Sequence, residues 1–171
     1  DLFSDKAKIK FSCGKQCMTV AKENPELLYK DLNIFIELLH DKSQVLKWNA
    51  LQVIGYLSKI DEAKKIDKLV PELIRLLDCG QLITASNSAL ALSEIAKNKP
   101  YLKDKIFSEL IRVGNYKYKT PECTNVMIGN VIKFLERFKD ELKNYPEIIS
   151  FLKKQKQNSR VSVQKASVDL I

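Results

Sequence analysis

DKSQVLKWNALQVIGYL, residues 41–57, predicts an amphipathic helix. At about 100° per residue, its apolar side chains form one stripe that contains Leu46, Ala50, Val53, Ile54 and Leu57. Trp48 is the only tryptophan of the chain and lies opposite this stripe, at about 160° from Ala50. The pattern leaves two interpretations of Trp48 open: it packs across to a neighbouring helix, or it is displayed to a partner.

The same pattern recurs along the chain at intervals of about 37 to 39 residues. KIKFSCGKQCMTV (8–20) matches VLKWNALQVIGYL (45–57), so that Phe11 takes the place of Trp48. SNSALALSEIA (86–96) continues the series, and a further copy spans 128–135. VSVQKASVDLI (161–171) has the pattern of the start of another copy. A period of this length is typical of a helical repeat array.

Proline-containing spacers separate the copies, as in VAKENPELLYKDL (20–32), IAKNKPYLKDKIF (95–107) and RFKDELKNYPEII (137–149). Proline suits the first turn of a helix, where its missing N–H is not needed. The sequence therefore predicts two alternating series of helices. The first-series helices are expected near 25–40, 66–78, 100–113 and 146–156. The second-series helices are expected near 7–22, 44–60, 82–97, 121–140 and 160–171, and GNYKYKTPE (114–122) is expected to be an irregular loop.

The second-series pattern resembles that of HEAT repeats, in the residues Asp41, Lys47, Ala50, Ile54, Gly55 and Leu57. The tetratricopeptide signature fails, because Gln52 stands where glycine is expected. The resemblance implies an all-α fold, a right-handed α-α superhelix (solenoid) of about four HEAT-like helical hairpins. We expect residues 1–171 to form a single solenoid that is truncated within a repeat at both ends. By the same resemblance, Asp41 and Lys47 would form an inter-repeat ladder, and the second-series helices would line the concave surface.

Composition and charge narrow the class of protein. Hydrophobic residues make up 45% and charged residues 29% of the 171 positions, which is typical of a globular protein. No apolar run is long enough to span a membrane. The net charge of +8 arises from 29 basic and 21 acidic residues spread along the chain, a mild basic bias that attracts anionic partners.

The cysteines predict reduced, buried thiols, which places the protein in a reducing compartment and favours the cytoplasm. They are Cys13, Cys17, Cys79 and Cys123. The chain has no CxxC motif, and its only histidine is His40, so we expect no metal and no cofactor. No nucleophile is placed beside His40, and neither a Gly-rich phosphate loop nor an HExxH motif occurs. The sequence therefore indicates a protein that is not an enzyme.

The best candidate for a binding surface is the side of the second-series helices opposite their apolar stripes, here called the second-helix face. Aromatic and basic side chains often anchor interfaces. The predicted partner-binding residues are Phe11, Lys15, Lys22, Trp48, Gln52, Lys59, Lys133 and Arg137. The first hypothesis is a scaffold or adaptor that binds a protein or peptide along this face. The alternative is a nucleic-acid-binding module with a basic concave groove, and a third hypothesis is a segment of a longer solenoid whose role lies elsewhere.

Overall fold

The computed structural model describes all residues from Asp1 to Ile171. Nine α-helices follow one another without a strand: α1 Ala7–Glu23, α2 Leu32–Leu38, α3 Gln44–Leu57, α4 Val70–Leu77, α5 Leu82–Asn98, α6 Lys103–Leu110, α7 Pro121–Leu135, α8 Pro146–Gln155 and α9 Val161–Asp169. The hairpins stack into a right-handed α-α superhelix, which confirms the predicted fold class. The odd-numbered helices are the second series, and each packs against the next: α1 on α3, α3 on α5, α5 on α7 and α7 on α9.

Prolines and hydroxyl side chains lie at the starts of several helices. Pro71, Pro121 and Pro146 lie in the first turns of α4, α7 and α8. At the start of α3, the Ser43 hydroxyl accepts a hydrogen bond from the Leu46 N–H at 3.5 Å. At the start of α7, the Thr120 hydroxyl accepts one from the Cys123 N–H at 3.2 Å. A helix start leaves backbone N–H groups unpaired. The hydroxyl oxygens accept hydrogen bonds from such groups, and proline has no N–H to leave unpaired.

Several α-helices are shorter than predicted, because 3₁₀ turns take up the first or the last part of the predicted range. These turns are Pro25–Leu27, Tyr29–Asp31, Ser58–Ile60, Ile66–Leu69, Pro100–Leu102, Ile111–Asn115 and Glu136–Asn144. The predicted helix over 121–140 ends its α-helical part at Leu135, and Phe138 leaves helical geometry with φ −117° and ψ 19°. Phe138 is buried there against Phe107 and its ring meets that ring edge-on at 4.9 Å between centroids. Packing with the preceding repeat therefore accompanies the kink.

One cluster of 38 buried apolar residues runs through the whole stack. Within it, the backbones of α3 and α5 approach each other closely. A Cβ placed on Gly55 would lie 2.9 Å from the Ala91 Cα, a distance that real Cβ atoms do not adopt. The small residue of the repeat pattern thus permits this close approach of two backbones.

Candidate functional site

Trp48 and Gln52 lie between two second-series helices. The Trp48 indole Nε1–H donates to Thr84 Oγ1 at 3.0 Å, and the Gln52 side-chain amide donates to Asn87 Oδ1 at 2.7 Å. Both side chains are half-buried. The structure therefore places Trp48 across the α3–α5 interface, which is the first of the two interpretations left open by the sequence.

Similar polar bridges cross the next interface, between α5 and α7. The Asn130 amide donates to Ser86 Oγ at 2.9 Å. Arg137 donates to Ser93 Oγ at 3.3 Å and forms an ion pair with Glu94 at 2.6 Å. Arg137, predicted to face a partner, is thus engaged with the preceding repeat.

The Trp48–Thr84 hydrogen bond should be measurable by a double-mutant cycle. Trp48→Phe keeps an aromatic ring but loses the donor, so we expect the free energy of unfolding to fall by about 1–2 kcal/mol. Thr84→Val removes the acceptor and also the hydroxyl that donates to Gln81 Oε1 at 3.1 Å. Chemical denaturation of both single variants and the double variant should give a coupling energy of about 1 kcal/mol. Strict additivity would show that the bond does not form in solution.

The predicted ladder of Asp41 and Lys47 is wrong, because neither residue takes part in any ion pair of the structure. The Asp41 carboxylate instead accepts a hydrogen bond from the Ser43 N–H at 2.6 Å, just before α3. Lys47 is half-buried on α3. Asp41 therefore shapes the turn within its own repeat.

Three of the ion pairs that join successive repeats use residues that the sequence analysis missed. They are Lys99 with Asp61, Lys103 with Glu141, and Arg160 with Glu122. In each pair the two partners lie 38 positions apart. This interval matches the repeat period, so a search for opposite charges at the period would have found them.

Lys99 forms the most buried of these contacts, with 5% of its surface exposed. Its Nζ lies 3.0 Å from Asp61 Oδ2 and 2.8 Å from Asp67 Oδ1, and it donates to the Asp61 carbonyl at 3.0 Å. Asp61 also accepts from the Tyr29 hydroxyl at 2.5 Å and from the Ile66 N–H at 2.9 Å. Residues from three successive repeats thus meet at one carboxylate.

The pKa values at this cluster follow from the contacts. Burial alone would raise the pKa of Asp61, but the hydrogen bonds from Tyr29, Ile66 and Lys99 outweigh it and hold that pKa below its usual range. Burial would lower the pKa of Lys99, but its bonds to Asp67 and Asp61 raise it. Burial and the hydrogen bond to Asp61 raise the pKa of Tyr29 to about 12. Both oxygens of Asp61 are engaged, so the cluster keeps the Asp61 carboxylate and the Lys99 ammonium charged. The same contacts join successive repeats.

The lysines of the second-helix face, unlike Arg137, have no ion-pair partner within the protein. Lys15 and Lys22 on α1, Lys59 after α3, and Lys133 on α7 are exposed and take part in no ion pair. Lys97, in the last turn of α5, shares these properties. Phe11 is 38% exposed on α1. The predicted set therefore divides into free lysines with Phe11, and three residues that bridge repeats: Trp48, Gln52 and Arg137.

Burial and one nearby carboxylate characterise the four thiols and the histidine. All four cysteines are free and half-buried, where the sequence predicted buried thiols. Burial, followed by the neighbouring Cys13, raises the pKa of Cys17 to about 11. His40 lies at the surface with Nε2 3.5 Å from Glu72 Oε1. No three His, Cys, Asp or Glu side chains are grouped closely enough to hold a metal ion.

None of the helices combines the length and the apolar character needed to cross a lipid bilayer.

Solved structures share this architecture over nearly the whole chain. A crystal structure of an engineered protein superposes with a TM-score of 0.61, covering 99% of this chain and 74% of the other, at 15% sequence identity. A designed armadillo repeat protein superposes with a TM-score of 0.56, covering 99% and 77%, at 20% identity. The fold is an armadillo-like α-solenoid. No family model matches this sequence, and no curated protein matches it either. The likeness therefore establishes an armadillo- or HEAT-like helical repeat and leaves function to the chain's own residues.

Proposed function

We propose that this solenoid is a non-enzymatic scaffold that binds an acidic protein segment or peptide along its second-helix face. One observation carries the proposal. Lys22, Lys59, Lys97 and Lys133 are exposed and without ion pairs at the carboxyl ends of four successive second-series helices. The carboxyl-terminal ends of successive second-series helices thus present four positive charges, here called the lysine row.

The spacing of the lysine row suits an extended chain. Packed helices lie about 8–10 Å apart, so the helices that carry neighbouring lysines of the row are separated by about that distance. An extended peptide advances about 3.3 Å per residue. An acidic residue at every third position would therefore meet one lysine per repeat. Phe11, at the amino-terminal end of the same face, would supply an aromatic contact.

The position of the lysine row also has a purely structural explanation. A cation near the carboxyl end of a helix stabilises it by about 0.3–1 kcal/mol through the helix dipole. Four such lysines would serve folding without any partner. The two explanations differ in what charge reversal does to binding, because reversal of an exposed lysine has little effect on stability.

The test uses two peptides of equal composition. One carries glutamate at every third position and the other carries the same glutamates in a block. We expect the full chain to bind the first peptide more tightly in fluorescence anisotropy at low salt, with weakening as salt is added. Lys59→Glu with Lys97→Glu should lower the association constant about tenfold or more.

The matched control reverses two lysines outside the face, Lys153→Glu with Lys154→Glu on α8, which are equally exposed. This control changes the net charge by the same amount and should retain most of the binding. Equal losses in both double variants would show that net charge, and not the lysine row, attracts the peptide. Absence of binding to both peptides would sink the proposal.

The alternative partner is a nucleic acid, which the net charge of +8 favours. A single-stranded oligonucleotide replaces the peptide in the same measurement. Tighter binding of the oligonucleotide, with loss in the Lys59→Glu and Lys97→Glu variant, would favour this alternative.

The four free cysteines fit a reducing compartment, and we propose a cytoplasmic location on that ground.

A further inference from the structure

An arginine and a glutamate from successive repeats meet on the second-helix face. Glu94 on α5 has 6% of its surface exposed, and its Oε1 lies 2.6 Å from Arg137 Nη2. Arg137 Nη1 donates to Ser93 Oγ at 3.3 Å, yet the Arg137 side chain is 36% exposed. A guanidinium carries five N–H donors in one plane, so these two contacts fix its position and leave other donors free. The buried carboxylate therefore holds an arginine that can still bind a second anion.

This pair lies among the cations of the lysine row. Lys97 follows Glu94 by three positions on α5, and Lys133 on α7 precedes Arg137 by four. At these spacings each lysine stands about one helical turn from its neighbour in the pair. Both lysines are exposed and form no ion pair, and Glu136 is turned toward α9. An anion bound at Arg137 would therefore have two further cations beside it.

Tyr56 on α3 adds an aromatic side chain to these surroundings. It is half-buried, and its burial, followed by the nearby Glu94 carboxylate, raises its pKa, while Arg137 lowers it. The net direction is upward, so the hydroxyl keeps its proton and can donate a hydrogen bond. Tyrosine and arginine in partly buried positions are among the residues that most often dominate the energy of an interface.

Arg137 differs from the lysines of the row in the shape of its charged group. The other three arginines lie elsewhere, since Arg75 is on α4, Arg112 follows α6 and Arg160 precedes α9. The planar guanidinium matches the two oxygens of a carboxylate, whereas a lysine ammonium acts as a point charge. The lysines thus attract any nearby anion, and Arg137 favours a group with two coplanar oxygens.

We propose that Arg137, positioned by Glu94, anchors one carboxylate side chain of the peptide that binds along the lysine row. This inference rests on the proposed function, because the same peptide occupies both. It adds that one arginine contributes more to the affinity than any single lysine of the row.

The Glu94–Arg137 pair also has a structural explanation, as a brace between α5 and α7, and a double variant separates the two. Glu94→Gln with Arg137→Gln leaves no buried charge unpaired and keeps the net charge at +8. Fluorescence anisotropy with the peptide that carries glutamate at every third position should show about tenfold weaker binding. The matched control is Glu109→Gln with Arg112→Gln, an exposed pair outside the face, and it should bind as the unaltered protein does.

Arg137→Lys retains the positive charge beside Glu94 but loses the planar group, so it should weaken binding about fivefold. Circular dichroism reports whether each variant folds. A measurement on the unaltered protein does not depend on any variant: addition of the peptide should shift the Arg137 Nε–H resonance and leave that of Arg112 unchanged.

Unchanged affinity in the folded double variant, or an Arg137 resonance that the bound peptide does not shift, would overturn this inference and leave the lysine row standing. Equal losses in the control pair would overturn it as well. Absence of any peptide binding to the unaltered protein is a different result, which would overturn the proposed function and this inference together.

Discussion

Lys99→Met should lower the free energy of unfolding by about 3–5 kcal/mol. Methionine retains the apolar stem but removes the ammonium that lies 3.0 Å from Asp61 and 2.8 Å from Asp67. The Asp61 side chain has no exposed surface, so its negative charge would remain buried without its cation. The hydrogen bonds from Tyr29 and two backbone N–H groups would compensate only in part. Urea denaturation measures the difference.

The matched control is Arg112→Met on an exposed pair. Arg112 contacts Glu109 at 3.2 Å, and its side chain is 58% exposed. Solvent screens such a pair, so the loss should be less than about 1 kcal/mol. Equal effects of the two substitutions would contradict the view that Lys99 holds three repeats together.

Phe107→Ala should lower the free energy of unfolding by about 3–5 kcal/mol. Phe107 on α6 is fully buried, and its ring meets Phe138 edge-on at 4.9 Å and Tyr145 edge-on at 5.0 Å between centroids. Truncation would leave a cavity and remove both aromatic contacts between α6 and the following repeat. Thermal or urea denaturation, with circular dichroism as the readout, measures the loss.

Phe11→Ala is the control of identical chemistry at an exposed position. Phe11 is 38% exposed on α1, so we expect its truncation to cost less than about 1 kcal/mol. A large loss at Phe11 would show that its ring is part of the stack and not available to a partner. A small loss at Phe107 would contradict the aromatic contact between α6 and the segment that follows α7.

The sequence predicts the repeat architecture because each helix carries its own signal. Ala50, Val53 and Ile54 form a helical stripe, and the pattern returns at the repeat period. The spacer prolines lie where helical segments begin: Pro146 starts α8, and Pro25 and Pro100 start 3₁₀ turns. The predicted helix ends agree less well with the structure. The 3₁₀ turn Glu136–Asn144 takes the place of the last part of the helix predicted over 121–140. There the burial of Phe138 against Phe107 overrides the local pattern.

The sequence predicts the candidate site only in part. Lys15, Lys22, Lys59 and Lys133 are exposed, because the stripe on each helix tells which side is buried. The stripe cannot tell which exposed side a neighbouring helix covers. Trp48 bonds to Thr84 and Arg137 to Glu94 because their outer sides face the adjacent repeat.

The sequence by itself determined a helical repeat array, its period and the apolar side of each helix, since these depend on residues close along the chain. The tertiary structure decided everything that depends on two repeats at once. It showed Lys99 as the partner of Asp61, replaced the Asp41–Lys47 ladder by pairs 38 positions apart, and set the Trp48 indole against Thr84. The physical reason is that hydrogen bonds, ion pairs and voids depend on distances of a few ångströms between helices, and the repeat pattern specifies only that these helices are neighbours.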